Sequence, residues 1–302
     1  MFGAQLANEQ VTWEDITAVL KVFEAGRWTG VYAYDHFIPP LSHTADVLDS
    51  ELLDTLEGWS LLASMAAVTS TLKLGILVSG NTYRNPALLA KMAATIDVIS
   101  HGRVILGIGA GWNIREHEAY GWEFPSLRER SDRLEEACEV IRMLFHSEGR
   151  VNYDGQYYKL KEAAFAPRSG SDKPIPIMVG GTGEKRTLKT LAMFGDIMNV
   201  IASPERVCHL TNVLEKHCEN VGRDPSDIQK TVHLPIRIVR DEKEAKKIRG
   251  EDDWSMIGPP QYVIDRIGDF LDVGVSEFIP HFKVKSPVLF QELDDEIFSA
   301  FD

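Results

Sequence analysis

The sequence predicts an α/β fold of the (β/α)8 TIM-barrel class, with insertions. Three observations carry that expectation. Short runs rich in branched apolar residues recur eight times along the chain, amphipathic helical stretches separate them, and polar and glycine residues gather just after the runs. Strands buried on both faces read as continuous apolar runs. In a closed parallel barrel the site collects at the C-terminal ends of the strands. The chain has 302 residues and is 44% hydrophobic, enough to bury one large core. Residues 1–302 therefore read as a single barrel domain with a hairpin-like insertion around 150–166. No fixed-period repeat points to a solenoid.

Met1 to Leu6 reads as the first strand. Thr12-Trp13-Glu14-Asp15 caps a helix with Ile16, Leu20 and Phe23 inward, and Gly26 stops it. Gly30 to Tyr34 is the second strand and delivers Asp35-His36-Phe37 to its C-terminal end, before a proline-bearing loop through Ser50. A helix from about Leu53 to Ser70 leads to the third strand, Leu72 to Val78, which Ser79-Gly80-Asn81 ends. Pro86 opens a helix on which Leu88, Met92, Ile96 and Ile99 recur at helical spacing. That spacing predicts one buried face with Lys91 outside, and Gly102 closes the helix. Val104 to Gly107 is the fourth strand. Its exit, Gly107-Ile108-Gly109-Ala110-Gly111-Trp112, brings backbone amides together without side chains in the way, a surface for a flat or phosphorylated ligand. Asn113 follows Gly111-Trp112, so the third glycine of a dinucleotide fingerprint is missing, which excludes an NAD-type Rossmann turn.

Ser126-Leu127-Arg128-Glu129 has capping-box spacing, and Leu134, Cys138, Ile141 and Phe145 form the inward stripe of the helix after it. Val151 to Tyr158 carries an Asp-Gly turn between alternating residues, the mark of a hairpin. Ile175 to Val179 is the fifth strand, ending in Gly180-Gly181-Thr182-Gly183 at the start of a helix that carries Lys185 and Arg186 early. Free amides at a helix N-terminus with cations beside them make an anion site. Asp196 to Ile201 is the sixth strand, and Ser203-Pro204 starts the next helix in cap-then-proline order. Thr231 to Val239 is the seventh strand, followed by a charged run from Asp241 to Asp253. Gly258-Pro259-Pro260 begins a helix with Ile264, Ile267 and Leu271 inward, and Glu277 to Phe282 is the eighth strand.

A formal net charge of -13 disfavours nucleic acid and anionic membrane surfaces as partners, because both repel the protein at long range. A small-molecule substrate is the partner expected. No apolar run approaches the roughly 20 residues of a membrane-spanning helix, and the N-terminus lacks a signal-peptide layout. Cys138, Cys208 and Cys218 are too few and too scattered for a disulfide framework or a zinc site, which points to a reducing, cytoplasmic setting. His117 lies between Glu116 and Glu118, where consecutive side chains point apart and lack ligand spacing. It is expected to be exposed, and no metal is expected. Neither a Ser-His-Asp nor a Cys-His arrangement is supported.

Four segments follow in order on the eight-strand pattern: Tyr34-Asp35-His36 after the second strand, Thr82 to Ile99 (TYRNPALLAKMAATIDVI), Gly107 to Trp112, and Gly180 to Arg186 (GGTGEKR). Together they resemble the luciferase-like flavin and deazaflavin oxidoreductase superfamily, specifically its coenzyme F420-dependent branch, over nearly the whole chain. The resemblance implies a barrel with an inserted region, a cofactor across its C-terminal mouth, and a homodimer. It also implies that Asp35 and His36 match the family's Asp-His pair, whose histidine faces the deazaflavin ring and manages a proton during hydride transfer. Leu77, Val78 and Ser79 match the place where the family often holds a cis-peptide bulge behind the ring. Gly109, Ala110, Gly111 and Trp112, and Gly180, Gly181 and Thr182, match segments that contact the cofactor's ribityl phosphate tail. The family's sugar-phosphate dehydrogenases carry a glutamate where this chain has Trp112, so a sugar phosphate is not the expected substrate.

Several residues admit two readings. His36 either carries a proton or caps a loop; its place beside Asp35 at a strand's C-terminal end favours the first. Asp35 either takes part in catalysis or supports His36 or a backbone amide. Asn81 and Arg84 are candidate cofactor contacts, while Asn85 either joins them or caps the helix that Pro86 begins. Trp112 either floors a substrate pocket or packs as core. Lys185 and Arg186 are either solvated surface or the local cations that an acidic protein needs around the anionic tail of coenzyme F420. Arg115 is a further candidate of that kind, and His281, following Pro280, either lines the pocket or packs outside it. The expected activity is hydride transfer between coenzyme F420 and a small organic substrate. The alternatives are a monooxygenase using reduced FMN and oxygen, and a non-catalytic carrier or sensor of a flavin or deazaflavin. Substrate choice is expected to rest on the loop from Ile38 to Ser50 and the insertion from Val151 to Phe165.

Overall fold

A computed structural model of the chain describes residues 1–40, 52–250, 255–283 and 286–301. The order is β1 (Phe2–Leu6), α1 (Trp13–Ala25), β2 (Trp28–Ala33), α2 (Gly58–Val68), β3 (Lys73–Ile76), β4 (Ser79–Gly80), α3 (Pro86–Ile99) and β5 (Val104–Gly109). Then come α4 (Ile114–Tyr120), α5 (Leu127–His146), β6 (Val151–Asp154), β7 (Lys159–Ala163), β8 (Ile177–Gly180), α6 (Thr187–Phe194), β9 (Ile197–Val200), α7 (Pro204–Val221) and β10 (Gln229–Val232). The chain finishes with β11 (Ile236–Ile238), α8 (Glu242–Arg249), β12 (Met256–Gly258), α9 (Pro260–Asp272), β13 (Glu277–Phe278), β14 (His281–Phe282) and α10 (Pro287–Glu296). The main sheet runs β13-β10-β9-β8-β5-β3-β2-β1, all parallel, and β1 pairs with both β13 and β14 to close the barrel.

Local chemistry places many of the helix starts. Thr12 and Asp15 form the reciprocal capping box of α1, Asn85 accepts from Ala87 N at α3, Ser126 accepts from Glu129 N at α5, and Ser203 caps α7. The stripe Leu134, Cys138, Ile141 and Phe145 is buried as its spacing indicates. The insertion is an antiparallel β6–β7 hairpin, and Glu136 of α5 receives the backbone amides of Gln156 and Tyr157 beyond its turn.

Five expectations need correction. On α3, Leu88 and Ile99 are exposed; the buried face carries Leu89, Ala90, Ala93, Ala94, Ile96 and Asp97. Alanines let the helix sit close to its neighbours, and Asp97 is buried because it accepts from Val104 N and Gly170 N. On α9 the inward residues are Val263, Ile267 and Phe270, and Leu271 is exposed. The seventh strand stops at Val232, because Pro235 cannot donate to a ladder, and Ile236–Ile238 instead pairs with Met256–Gly258 in a separate parallel sheet. The eighth strand is divided into β13 and β14. Helix α6 begins at Thr187, so Lys185 and Arg186 precede it. Within the charged run, residues 242–249 form α8, capped by Asp241.

Tyr32, Leu77, Ile105, Met178, Ile197 and Ile279 fill the barrel interior. Buried Glu277 lies at the start of β13, at the N-terminal end of the barrel, and accepts from Tyr32 Oη at 3.3 Å and Gln229 Nε2 at 3.1 Å, with Lys73 Nζ at 3.4 Å. Beside that end lies a cavity of about 340 Å³ with a mainly apolar lining that includes Phe2, Phe278 and Phe298, without the convergent polar groups found at the C-terminal mouth. Among the described residues no helix is long and apolar enough to cross a membrane.

Candidate cofactor and substrate site

A cavity of about 730 Å³ opens at the C-terminal mouth, lined by the exits of the barrel strands. One wall is nearly free of large side chains. Leu77, Val78, Ser79 and Gly80 form its base, Gly109 and Gly180 lie against Val78, and Gly111 and Gly181 continue the lining. A Cβ on Gly109 would lie 3.0 Å from Val78 Cγ2, and one on Gly180 2.9 Å from the same atom, so only glycine leaves this face flat. Gly111 and Gly181 have φ of +78° and +126°, conformations that glycine adopts without strain. The Leu77–Val78 peptide is cis. Ala110, Trp112, Thr182 and Thr187 complete this side, and Trp112 is exposed, so it is not core.

His36 follows β2 and lines the cavity. Its Nδ1 lies 2.9 Å from Glu116 Oε2. The same carboxylate accepts from Tyr83 Oη at 2.5 Å and from Phe37 N at 2.7 Å. An ionised carboxylate only accepts, so Nδ1 carries the hydrogen and Nε2 is left for a ligand. Glu116 is fully buried, which alone would raise its pKa. The hydrogen bonds from His36, Tyr83 and Phe37 outweigh that cost and hold it below the usual carboxylate range.

Glu116 escaped the sequence reading, and His117 was expected to be exposed. Both are buried on the inner edge of α4. His117 Nδ1 lies 2.7 Å from Asn113 O and Nε2 2.7 Å from Thr82 Oγ1, with Tyr83, Trp122 and Phe124 around the ring. The available signal was Asn113, which caps α4 straight after the glycine exit and turns its first residues toward the mouth.

Asp35 turns its carboxylate to Arg84, 2.6 Å away, and the partner of His36 is Glu116 instead. Burial pushes the Asp35 carboxyl above its ordinary value, against the pull of Arg84. Arg84 also binds Glu57 at 2.6 Å and does not line the cavity. Asn81, buried, donates to Tyr158 Oη and ties the hairpin to β4; Asn85 serves as a cap. Arg186 pairs with Asp132 and Glu135 of α5, and Lys185 and Arg115 are exposed. None of these three cations lines the cavity.

The opposite wall carries Gln5, His233 and His281. His281 Nδ1 lies 3.0 Å from Gln5 Oε1, Gln5 Nε2 donates to Leu77 O at 2.5 Å, and His233 Nδ1 lies 2.7 Å from Ile279 O. Burial lowers the pKa of both rings, that of His281 to about 4 with His233 beside it. His281 was a sequence candidate. His233 had no signal, since it sits inside what reads as one long strand. Among the described residues no cluster of side chains can hold a metal ion.

Residues 2–255 match the sequence profile of the family described as luciferase-like monooxygenase. An F420-dependent glucose-6-phosphate dehydrogenase of Kineococcus radiotolerans is 34% identical over 231 residues, covering 74% of this chain and 64% of that protein. An F420-dependent hydroxymycolic acid dehydrogenase of Mycobacterium tuberculosis is 30% identical over 254 residues, 83% of this chain and 66% of that one. The chain spans just under two-thirds of the length of each. The solved structure of an F420-dependent secondary alcohol dehydrogenase with an F420-acetone adduct superposes over all of this chain and 99% of that one, with a TM-score of 0.84 at 21% identity, a likeness of fold. The profile match runs from the first strand of the barrel past its seventh and takes in His36, Glu116 and both glycine exits, and on that extent the chain belongs to the luciferase-like monooxygenase family.

Proposed function

We propose that the protein is a coenzyme F420-dependent oxidoreductase that transfers a hydride between the deazaflavin and a small organic substrate. One observation carries the reading: His36 lines the cavity with Nδ1 committed to buried Glu116 and Nε2 left for a ligand, in a pocket whose base is flattened by glycines. The cavity fits the cofactor. Val78 with Gly109 and Gly180 supports a flat ring, and the amides of Gly181 and Thr182 suit the start of a phosphate-bearing tail. Bound there, coenzyme F420 supplies two-electron hydride chemistry. Nε2 of His36 takes a proton from a substrate oxygen or returns one to it, and Glu116 holds the ring in the tautomer that leaves that atom open. Trp112, with its ring centroid 5.3 Å from that of His36, covers the site and limits water. Leu77, Val78, Ser79, Ala110 and Gly111 complete the proposed cofactor contacts.

The relatives named for F420-dependent dehydrogenases support the same cofactor and an oxidoreductase role. A second reading, an FMN-dependent monooxygenase, draws on the family's description. We further propose a cytoplasmic homodimer that binds no nucleic acid, on the family resemblance and the net charge of -13.

A side-by-side titration with coenzyme F420 and FMN, following cofactor fluorescence at matched salt, tests the reading. Tight binding of F420 and weak binding of FMN is the expected result. Preference for FMN moves the protein to the oxygen-using reading, and absence of binding to either removes both.

A further inference from the structure

We infer that His233 and His281 form the substrate-recognition wall of the cavity, and that the substrate is uncharged and held by hydroxyl groups donating to the two Nε2 atoms. The inference deepens the hydride-transfer reading and rests on it.

The strand order supplies the placement. Around the closed barrel, β10 lies four strands from β3, and β14 lies four strands from β5. His233 follows β10 and His281 is in β14, so both stand across the mouth from Val78 and the Gly109–Trp112 exit. The base beside Val78 takes the flat ring; a second molecule must lie between that ring and the far wall.

The hydrogen bonds set the chemistry of that wall. Ile279 O can only accept, so His233 Nδ1 donates to it. Gln5 Nε2 donates to Leu77 O, which aims Gln5 Oε1 at His281, so His281 Nδ1 also donates. Each ring thus keeps an Nε2 lone pair, and their centroids are 6.3 Å apart. Both imidazoles are partly withdrawn from water and stay neutral near pH 7. Two acceptors require donors. Among the described residues no lysine or arginine lines the cavity, and Lys283, the cation whose charge reaches His281, lies 3.7 Å from Glu9, which offsets it, so a phosphate or carboxylate would meet lone pairs without a cation in the lining. A substrate with hydroxyl groups and no charge satisfies the wall; an anionic one does not.

The test uses the full chain loaded with coenzyme F420 and three probes: cyclohexane-1,2-diol, propan-2-ol and glucose 6-phosphate. Histidine side-chain 15N resonances are followed, which gives a dissociation constant without turnover. The diol is expected to bind more tightly than propan-2-ol and to shift the Nε2 signals of His233 and His281, while glucose 6-phosphate leaves them unmoved. His281→Phe and His233→Phe should each weaken diol binding about tenfold, the loss of one hydrogen bond. Both should keep the F420 dissociation constant of the parent protein, and His281→Gln, which restores an acceptor, should recover diol affinity. Tight binding of glucose 6-phosphate, or diol affinity indifferent to both phenylalanine variants, overturns the inference while leaving the F420 reading intact. A protein that does not bind F420 loses the reading and the inference together.

Discussion

Glu116 Oε2 and His36 Nδ1 meet at 2.9 Å although 80 residues separate them in the chain. The buried carboxylate also gathers Tyr83 Oη and the backbone N–H groups of Phe37 and Ile38, so it holds the segment that carries His36 as well as the ring. Glu116→Gln keeps the shape but puts an amide NH2 among donors. Turnover should fall at least tenfold, with stability reduced by about 2 kcal/mol. Urea unfolding and steady-state kinetics on one preparation check both; unchanged kinetics would remove the positioning role.

His36→Ala removes the proposed proton carrier and leaves the glycine-lined base untouched. F420 affinity should be retained while turnover drops by roughly 10²–10⁴, the usual weight of a positioned acid or base. Normal turnover by a variant that binds cofactor normally would falsify the mechanism.

Arg84 joins two carboxylates, Asp35 and Glu57, and its loss strands a buried charge at Asp35. Arg84→Met should cost about 3–5 kcal/mol. Adding Asp35→Asn should recover part of that loss, because the stranded charge is gone. Chemical denaturation of the single and double variants decides it, and an Arg84→Met protein as stable as the parent contradicts the arrangement.

Gly107 lies on β5 where an added Cβ would come within 1.9 Å of Ile76 O on the neighbouring strand. Backbone cannot yield as a side-chain tip can, so Gly107→Ala should destabilise by roughly 3 kcal/mol or fail to fold. Gly121→Ala is the control on space: nothing lies within 4 Å of its Cβ, and only its φ of +71° opposes the change, at about 1 kcal/mol.

Two partly buried rings, His281 and His233, make stability depend on pH with the same sign, and His281 has the value to test. In the unfolded chain an imidazole titrates near its reference value of about 6.5, whereas folded His281 stays neutral down to about 4. Between those values the unfolded state binds more protons, so stability falls as pH is lowered through this window, by at most about 3 kcal/mol. Glu116 has the depressed pKa of a well-bonded carboxylate; its stabilisation is present above the ordinary carboxylate range and is lost as pH falls through its folded value. Thermal melts across the window should show a shallower slope for His281→Gln than for the parent. Equal slopes would mean that His281 is not the group responsible.

Much of the frame could be read locally. Apolar runs, capping residues and the Asp154-Gly155 turn act over a few residues, and the barrel, the β6–β7 hairpin and the caps of α1, α3, α5 and α7 follow from them. The glycine exits were legible as runs in the sequence, but what requires Gly109 and Gly180, the close approach of Val78 from another strand exit, is tertiary. The helix faces were less legible. On α3 the large apolar residues Leu88 and Ile99 point outward and alanines point in, because close packing there depends on small volume rather than hydrophobicity.

The sequence by itself determined the barrel, and it singled out His36 and the two glycine exits, which line the cavity at its C-terminal mouth. Only the tertiary structure decided who touches whom. It gave His36 to Glu116, Asp35 to Arg84, and Arg186 to Asp132, and it brought His233 and His281 to one wall. Periodicity and capping report forces between residues a few positions apart, whereas these pairs are joined by barrel closure and by burial, which leaves a charged or polar group only the partners that the fold carries to it.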